Sequence, residues 1–236
     1  YAVGTPASVV GAVFVTAPAR ETLRRNPRDL PAVIPVFPLT GAILLPKGLL
    51  PLNIFEPRYL RMVDDALAGG RIIGMIQPRE SEPASKPPIY DVGCAGRITG
   101  FQETADGRYL ISLSGLMRFR VAEELGAATP YRQVKADYHA FAADILEDAS
   151  AARIDRERLF DAMRGYFASE GLSTDWKEAA SAPTEALVNS LAMGCPFQPN
   201  EKQALLEAFD IADRADCLVA LMRMSGGEAP DDPILQ

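Results

Sequence analysis

The sequence predicts an α+β protein: a small β barrel or folded-over sheet carrying one helix, followed by a lobe of helices. Three observations lead there. From Pro31 to Tyr138, short apolar runs are cut every few residues by proline or glycine, a texture that suits strands and turns. After His139 the apolar residues recur at helical spacing. The chain has 236 residues, 48% hydrophobic and 23% charged, which is enough to bury a core and excludes wholesale disorder. The expected organisation is an extension over 1–30, a β lobe over 31–142, a helical lobe over 143–225 and a tail over 226–236.

Residues 7–15 are apolar, and Ala17-Pro18-Ala19 behind them has the small-x-small shape of a signal cleavage site. No Lys or Arg precedes them, so the segment is read as a strand or tail. Four arginines around Asn26-Pro27 form a solvated connector. Ile34-Pro35-Val36-Phe37-Pro38-Leu39 cannot be helical with prolines at that spacing and is expected as an edge strand. Leu49-Leu50-Pro51-Leu52-Asn53-Ile54-Phe55 is a second one. Glu56-Pro57-Arg58-Tyr59 then opens a helix, with proline in its first turn and a carboxylate favoured by the dipole. Its face of Tyr59, Leu60, Met62, Val63, Ala66 and Leu67 ends at Gly69-Gly70.

Ile72 to Ile76 is a buried strand stopped by Pro78, and residues 80–88 make a surface loop. A glycine-interrupted strand over 92–103 turns at Ala105-Asp106-Gly107 and returns antiparallel from Tyr109. Met117-Arg118-Phe119-Arg120-Val121 alternates apolar and basic residues, and residues 131–138 supply a further strand. In the helical half, Leu159, Phe160, Met163, Tyr166 and Phe167 mark one helix, Pro183-Thr184 starts another that Gly194 ends, and Asn200 is the expected N-cap of a third. Residues 211–224 are amphipathic, with Leu218, Leu221 and Met222 inward.

Charge and motif content narrow the chemistry. A net charge of −7 argues against unspecific binding to duplex nucleic acid, which needs a local excess of Lys and Arg. Cys94, Cys195 and Cys217 are far apart, which gives neither a disulfide framework nor a metal knuckle and fits a reducing, cytoplasmic setting. No run of residues is long and apolar enough for a membrane span. Nucleotide-binding glycine loops, the nucleophile elbow and zinc-binding helix motifs are absent. His139, the single histidine, is read as a partly buried structural residue. Asp64-Asp65, Glu123-Glu124 and Asp231-Asp232 are adjacent in sequence and so do not face each other as acid/base dyads. No catalytic residue, metal site or cofactor is expected.

The assembled segments resemble the amino-terminal, substrate-binding domain of Lon protease. The resemblance rests on Ile34 to Leu39, Leu45-Pro46, Leu49-Leu50-Pro51-Leu52, Ile54-Phe55-Glu56-Pro57-Arg58-Tyr59 and Ile73-Gly74-Met75-Ile76. It continues through Val92-Gly93-Cys94-Ala95-Gly96-Arg97-Ile98, Asp106-Gly107-Arg108-Tyr109, Gly115-Leu116-Met117-Arg118-Phe119-Arg120-Val121 and Glu201 to Glu207. It implies a PUA-like β pseudo-barrel followed by an α-helical bundle. It also implies a non-catalytic, stand-alone module for polypeptide, an adaptor for unfolded clients or a protease, because no residues match the ATPase and peptidase modules of Lon.

Most of the signature is read as structural. Pro35, Pro38, Pro46 and Pro51 blunt sheet edges, and Glu56 caps the helix while Arg58 reaches a neighbouring strand. Gly93, Gly96 and Gly100 mark a bulged strand, and Phe37, Phe55 and Phe119 are expected in the core. Asp106, Gly107 and Gly115 belong to turns and tight strands. The candidate binding surface comprises Gln77 and Pro78 at the start of the loop, Met117 and Met193 as adaptable apolar contacts, an exposed sheet edge, and Arg97 and Arg120. An alternative reading is a small-molecule or RNA-binding module, requiring a contiguous basic patch from Arg97, Arg108, Arg118, Arg120 and Arg132.

Overall fold

The computed structural model describes residues 30–79, 86–126, 129–146 and 148–226. The expectations for the N-terminal extension, for residues 80–85 and for most of the tail lie outside the described residues. The chain forms two compact units. The first holds the sheet, the helix over 57–68, a 3₁₀ segment and the helix over 199–207; the second holds the remaining helices.

In the first unit the strands are β1 (Val33–Pro38), β2 (Leu49–Ile54), β3 (Ile72–Ile76), β4 (Val92–Glu103), β5 (Tyr109–Leu125) and β6 (Arg132–Asp137). Helix α1 spans Pro57–Ala68, and the 3₁₀ segment spans His139–Ile145. The order is β2-β5-β4-β3-β1-β6, with β5 also pairing to β6. The length of β5 makes this possible. One of its edges takes β4, while the other takes β2 along Tyr109 to Ser114 and β6 along Arg120 to Leu125. Five strands therefore close into a ring, with β2 attached outside it. Gly115 lies at the changeover, where a Cβ would stand 1.9 Å from the Leu45 carbonyl oxygen, so only glycine admits that backbone approach. The β4–β5 register shifts at Ala95/Gly96 and at Ile98/Gly100, which places bulges beside two of the three glycines of β4.

β1 is not an edge strand. It lies between β3, to which it is parallel, and β6, to which it is antiparallel. The register explains how a proline fits inside the sheet. The Ala136 N–H donates to the Ala32 carbonyl, so by two-residue alternation Ile34 and Val36 exchange bonds with β6 and Pro35 does not. The missing donor of Pro35 faces β3, whose pairing starts only at Val36. β2, by contrast, pairs with β5 alone among the described residues, as an edge strand does.

The core of the ring gathers Ile34, Val36, Ile72, Ile76, Ala95, Met117, Phe119 and Val134. Phe119 is wholly buried, edge-on to Tyr138 at 6.3 Å, and a Cβ on Gly93 would come within 2.7 Å of its ring. That glycine makes room for an aromatic ring. Helix α5 (Pro199–Glu207) is tied to the sheet by Gln203, whose Nε2 donates to the Val92 carbonyl at 3.1 Å. Asn200 lies inside its first turn and is not the cap. The Glu201 carboxylate instead reaches back to accept from the Gln198 N–H at 2.8 Å.

The second unit contains α2 (Arg156–Ser169), α3 (Trp176–Ser181), α4 (Thr184–Gly194) and α6 (Ile211–Gly226), with a 3₁₀ segment over Ala149–Arg153. Asp155 caps α2 by accepting from the Arg158 N–H, and Asp175 caps α3 by accepting from Lys177 and Glu178. Leu159, Met163, Tyr166 and Phe167 form the inner face of α2, against α6. Inside, Arg214 donates to the Asn189 side chain at 3.0 Å, which satisfies two buried polar groups at once.

Candidate functional site

The segment from Ile54 to Tyr59 links β2 to α1 and sends its side chains in different directions. Pro57 occupies the first helical position, where its missing N–H costs nothing. Glu56 stands at the N-cap position, but its side chain makes no cap bond; it accepts from Arg58 Nε at 3.0 Å and Nη2 at 2.9 Å. Arg58 therefore turns back over its own helix start instead of reaching a strand, and lies 4.5 Å above the Tyr59 ring. Tyr59 packs inward against Phe37, ring centroids 4.4 Å apart. Phe55 does not join the core: it is 56% exposed.

Beside Phe55, the hairpin of β4 and β5 carries exposed apolar side chains on both faces, Phe101 with Tyr109 on one and Leu110 on the other. Phe101 and Leu110 are 45% and 40% exposed. Phe101 pairs with Ile111, and two residues from that pairing Tyr109 meets it edge-on at 5.0 Å. The sheet face that buries Ile111 and Leu113 thus continues outward as an open surface. Arg108 lies 5.8 Å over the Phe55 ring and pairs with Asp106 at 2.8 Å. The hairpin is held firmly. Gly107 supplies the positive φ of 76°, Thr104 bonds Asp106, and the Tyr109 hydroxyl donates to Asp64 of α1 at 3.0 Å. The Thr104 hydroxyl holds the Asp106 carboxyl below the usual carboxylate range.

A second feature is a cleft of about 440 Å³ bounded by the ends of β1, β3, β5 and β6 and the start of α1. Pro38, Arg58, Tyr59, Pro78, Tyr131 and Arg132 contribute to its walls. Arg132 donates to Glu124 at 2.9 and 2.6 Å and to the Pro87 carbonyl at 2.7 Å, and Lys86 pairs with the same carboxylate at 2.7 Å. Burial pushes the Glu124 carboxyl up, but hydrogen bonds from Arg132 and Lys86 outweigh it and hold it low. The Tyr131 hydroxyl donates to Asp65 at 2.8 Å; burial, and then that carboxylate, push it up to about 12.

Several expected surface residues lie elsewhere. Met117 and Gln77 are fully buried and cannot meet a partner. Gln77 is a fastener: its Nε2 donates to the Pro199 carbonyl and the Gln203 side chain, and its Oε1 accepts from the Gly41 N–H. Pro78 is half-buried in the cleft wall, and Met193 is half-buried in the second unit. The proposed arginine patch does not assemble. Arg118 is buried against Asp144, while Arg132 and Arg108 are engaged with Glu124 and Asp106. Arg97 donates to the Gly70 carbonyl at 3.3 Å, leaving Arg120 exposed beside Phe141. His139 is exposed at the start of the 3₁₀ segment, not partly buried. Among the described residues no helix is long and apolar enough to cross a membrane, and no cluster of His, Cys, Asp or Glu could hold a metal ion.

A ring-closed sheet with an attached edge strand and helices places the chain among the Lon N-terminal folds. It overlays the Lon N-terminal domain protein of Xanthomonas campestris with a TM-score of 0.55 at 23% identity, over 80% of this chain and 97% of that one. The N-terminal domain of the Mycobacterium avium complex Lon protease gives a TM-score of 0.54 at 16% identity, with the same coverage. The family model of the ATP-dependent protease La (LON) substrate-binding domain matches residues 33–224, and the chain belongs to that family. Lon protease 2 of Myxococcus xanthus is 26% identical over 208 residues, 84% of this chain and 24% of that protein. The Lon protease of Dictyoglomus thermophilum is 27% identical over 204 residues, 79% of this chain and 24% of its own length. The chain spans about a quarter of the length of the curated relatives it matches.

Proposed function

We propose that the chain is a non-catalytic polypeptide-recognition module, and that the exposed apolar end of the β4–β5 hairpin, Phe101 with Tyr109, together with Phe55 engages apolar stretches of unfolded or client proteins. The observation that carries this reading is the edge-on pair of exposed Phe101 and half-buried Tyr109 on one face of a braced hairpin, with Phe55 exposed beside Arg108, in a family described by substrate binding. Rigid aromatics give contact area at low entropic cost, and an open face tolerates varied sequences. An adaptor role follows, delivering clients to a protease. Free thiols, with Cys94 and Cys195 buried, support a reducing, cytoplasmic setting.

The test is titration of the ¹⁵N-labelled chain with a reduced, carboxymethylated unfolded protein. Amide shifts should concentrate at residues 53–55, 101–103 and 108–111. Replacing both Phe55 and Phe101 by serine should weaken binding at least tenfold, since each buried aromatic contributes roughly 1–2 kcal/mol, with the melting temperature little changed. Absence of shifts, or recovery of RNA in place of protein from a lysate by the parent chain, overturns the proposal.

A further inference from the structure

We infer that the exposed end of the β4–β5 hairpin selects polypeptide segments in which a Lys or Arg stands two residues from an apolar side chain. The inference rests on the polypeptide-binding reading and names the kind of segment that the Phe101–Tyr109 pair takes. The two faces of the hairpin differ in one respect, and that difference carries it.

On one face the ring of Phe55 already has its cation. Arg108 lies 5.8 Å from the ring centroid and pairs with Asp106 at 2.8 Å, so an aromatic ring, a cation and a carboxylate are held together. The same set recurs elsewhere on the molecule. Arg79 lies 5.6 Å over Tyr90 and pairs with Asp91 at 2.8 Å. In the second unit Arg164 lies 5.9 Å over Trp176 and pairs with Asp161 at 2.7 Å.

On the other face two of the three parts are present. Phe101 and Tyr109 meet edge-on at 5.0 Å. Glu103 is the register partner of Tyr109, and the two-residue alternation of a strand puts it on the same face as Phe101. The Tyr109 hydroxyl donates to Asp64 of α1 at 3.0 Å. Chiefly through that bond, and further through the charges of Asp64 and Glu103, the Tyr109 pKa is raised, so both carboxylates are felt at the phenol. Asp64 and Glu103 are exposed, and among the described residues neither forms an ion pair and no cation lies over either ring. Arg61 of α1 is held by Asp65 at 3.1 Å, and Arg108, one residue before Tyr109, is turned to the opposite face over Phe55.

The missing part is a cation that arrives with the client. A Lys or Arg stem packs on an aromatic ring while its head reaches the carboxylates, and the same carboxylates repel an acidic segment. Spacing sets the pattern. Glu103 lies two residues beyond Phe101 on β4, about 7 Å along the strand, and an extended client places its side chains i and i+2 on one face at the same separation. An apolar residue therefore meets Phe101 while a cation two residues away meets Glu103 and Asp64.

The experiment uses the full chain and fluorescence anisotropy with three dye-labelled peptides, Ser-Leu-Ser-Phe-Ser-Xaa-Ser-Leu-Ser, in which Xaa is Lys, Gln or Glu. The Lys peptide should bind about fivefold more tightly than the Gln peptide, and the Glu peptide about threefold less tightly. The differences should close in about 0.5 M salt. The double variant E103Q/D64N, which alters two exposed side chains and should melt like the parent, should bring the Lys peptide level with the Gln peptide. F101S should weaken all three alike. Binding of none of the peptides, or F101S without effect, defeats the polypeptide reading of this face and the inference with it. Equal binding of the three by the parent chain, or a Lys preference that persists in E103Q/D64N, overturns the inference alone.

Discussion

Arg118 carries the largest single stability prediction. Its side chain is 5% exposed and that of Asp144 is 7% exposed. The guanidinium donates through Nε to Asp144 at 3.0 and 3.2 Å, through Nη2 at 2.8 Å, and through Nη1 to the Leu206 carbonyl at 3.1 Å. The Arg118 backbone N–H also donates to the same carboxylate at 2.9 Å, and Phe141 lies under the guanidinium at 4.6 Å. One residue of β5 thus joins the sheet to the 3₁₀ segment and to α5. R118M keeps most of the stem but leaves the Asp144 carboxylate buried beside a single backbone donor and the Leu206 carbonyl unpaired. Breaking a buried pair from one side costs about 3–5 kcal/mol. With a urea m value of roughly 2 kcal/mol/M, the midpoint should fall by about 1.5–2.5 M. The double variant R118M/D144L replaces the pair by apolar groups and should recover at least about 1 kcal/mol of the loss, because the stranded charge is gone while the two backbone groups remain unpaired. Urea unfolding followed by circular dichroism measures all three chains. A cost below about 1 kcal/mol for R118M, or a double variant no better than the single one, would refute the reasoning.

Packing around the glycines gives a paired prediction: G115A drives a Cβ against the Leu45 carbonyl and should cost about 3 kcal/mol or more, whereas Gly165 in α2 has open space around it and G165A should stabilise by about 1 kcal/mol; thermal melts distinguish the two signs. Loss of the α2 cap in D155A should cost about 1 kcal/mol in the same assay. Stability should fall as pH rises from about 9 towards 12. Burial pushes Cys195 and Tyr131 up to about 12, and raises Tyr59 and Tyr138 as well, so the folded chain holds protons that the unfolded chain has already lost. Lys202, pushed down by burial, works in the opposite direction as a single group. Melting temperatures across that range, with tyrosinate absorbance recorded alongside, check the sign; rising stability would contradict it.

Part of the site was legible locally. Asp106-Gly107 announced a hairpin because a positive φ is a demand of the turn itself. Pro57 announced the start of α1 for a similarly local reason. The fates of Phe37 and Phe55 were not legible. Both follow proline-cut apolar runs, yet Phe37 lies in a strand with neighbours on both sides and Phe55 lies past the end of an edge strand. Two prolines in β1 read as an edge because the ladder alternation that accommodates Pro35 depends on the partner's register. Met117 sits in a run whose alternation marks two faces without saying which faces inward.

The sequence by itself determined the α+β class, the order of strands and helices, and the family signature, because periodicity, turn chemistry and capping act over a few residues. Tertiary structure alone decided that β5 serves β2 and β6 with one edge, that α5 is tied to the sheet through Gln77 and Gln203, and that Arg118 meets Asp144. It alone decided, too, that Tyr59 packs inward against Phe37 while Phe55, four residues earlier, faces outward. These depend on contacts between distant segments, and a residue's type states what contact it can make but not which partner the closed ring will bring to it.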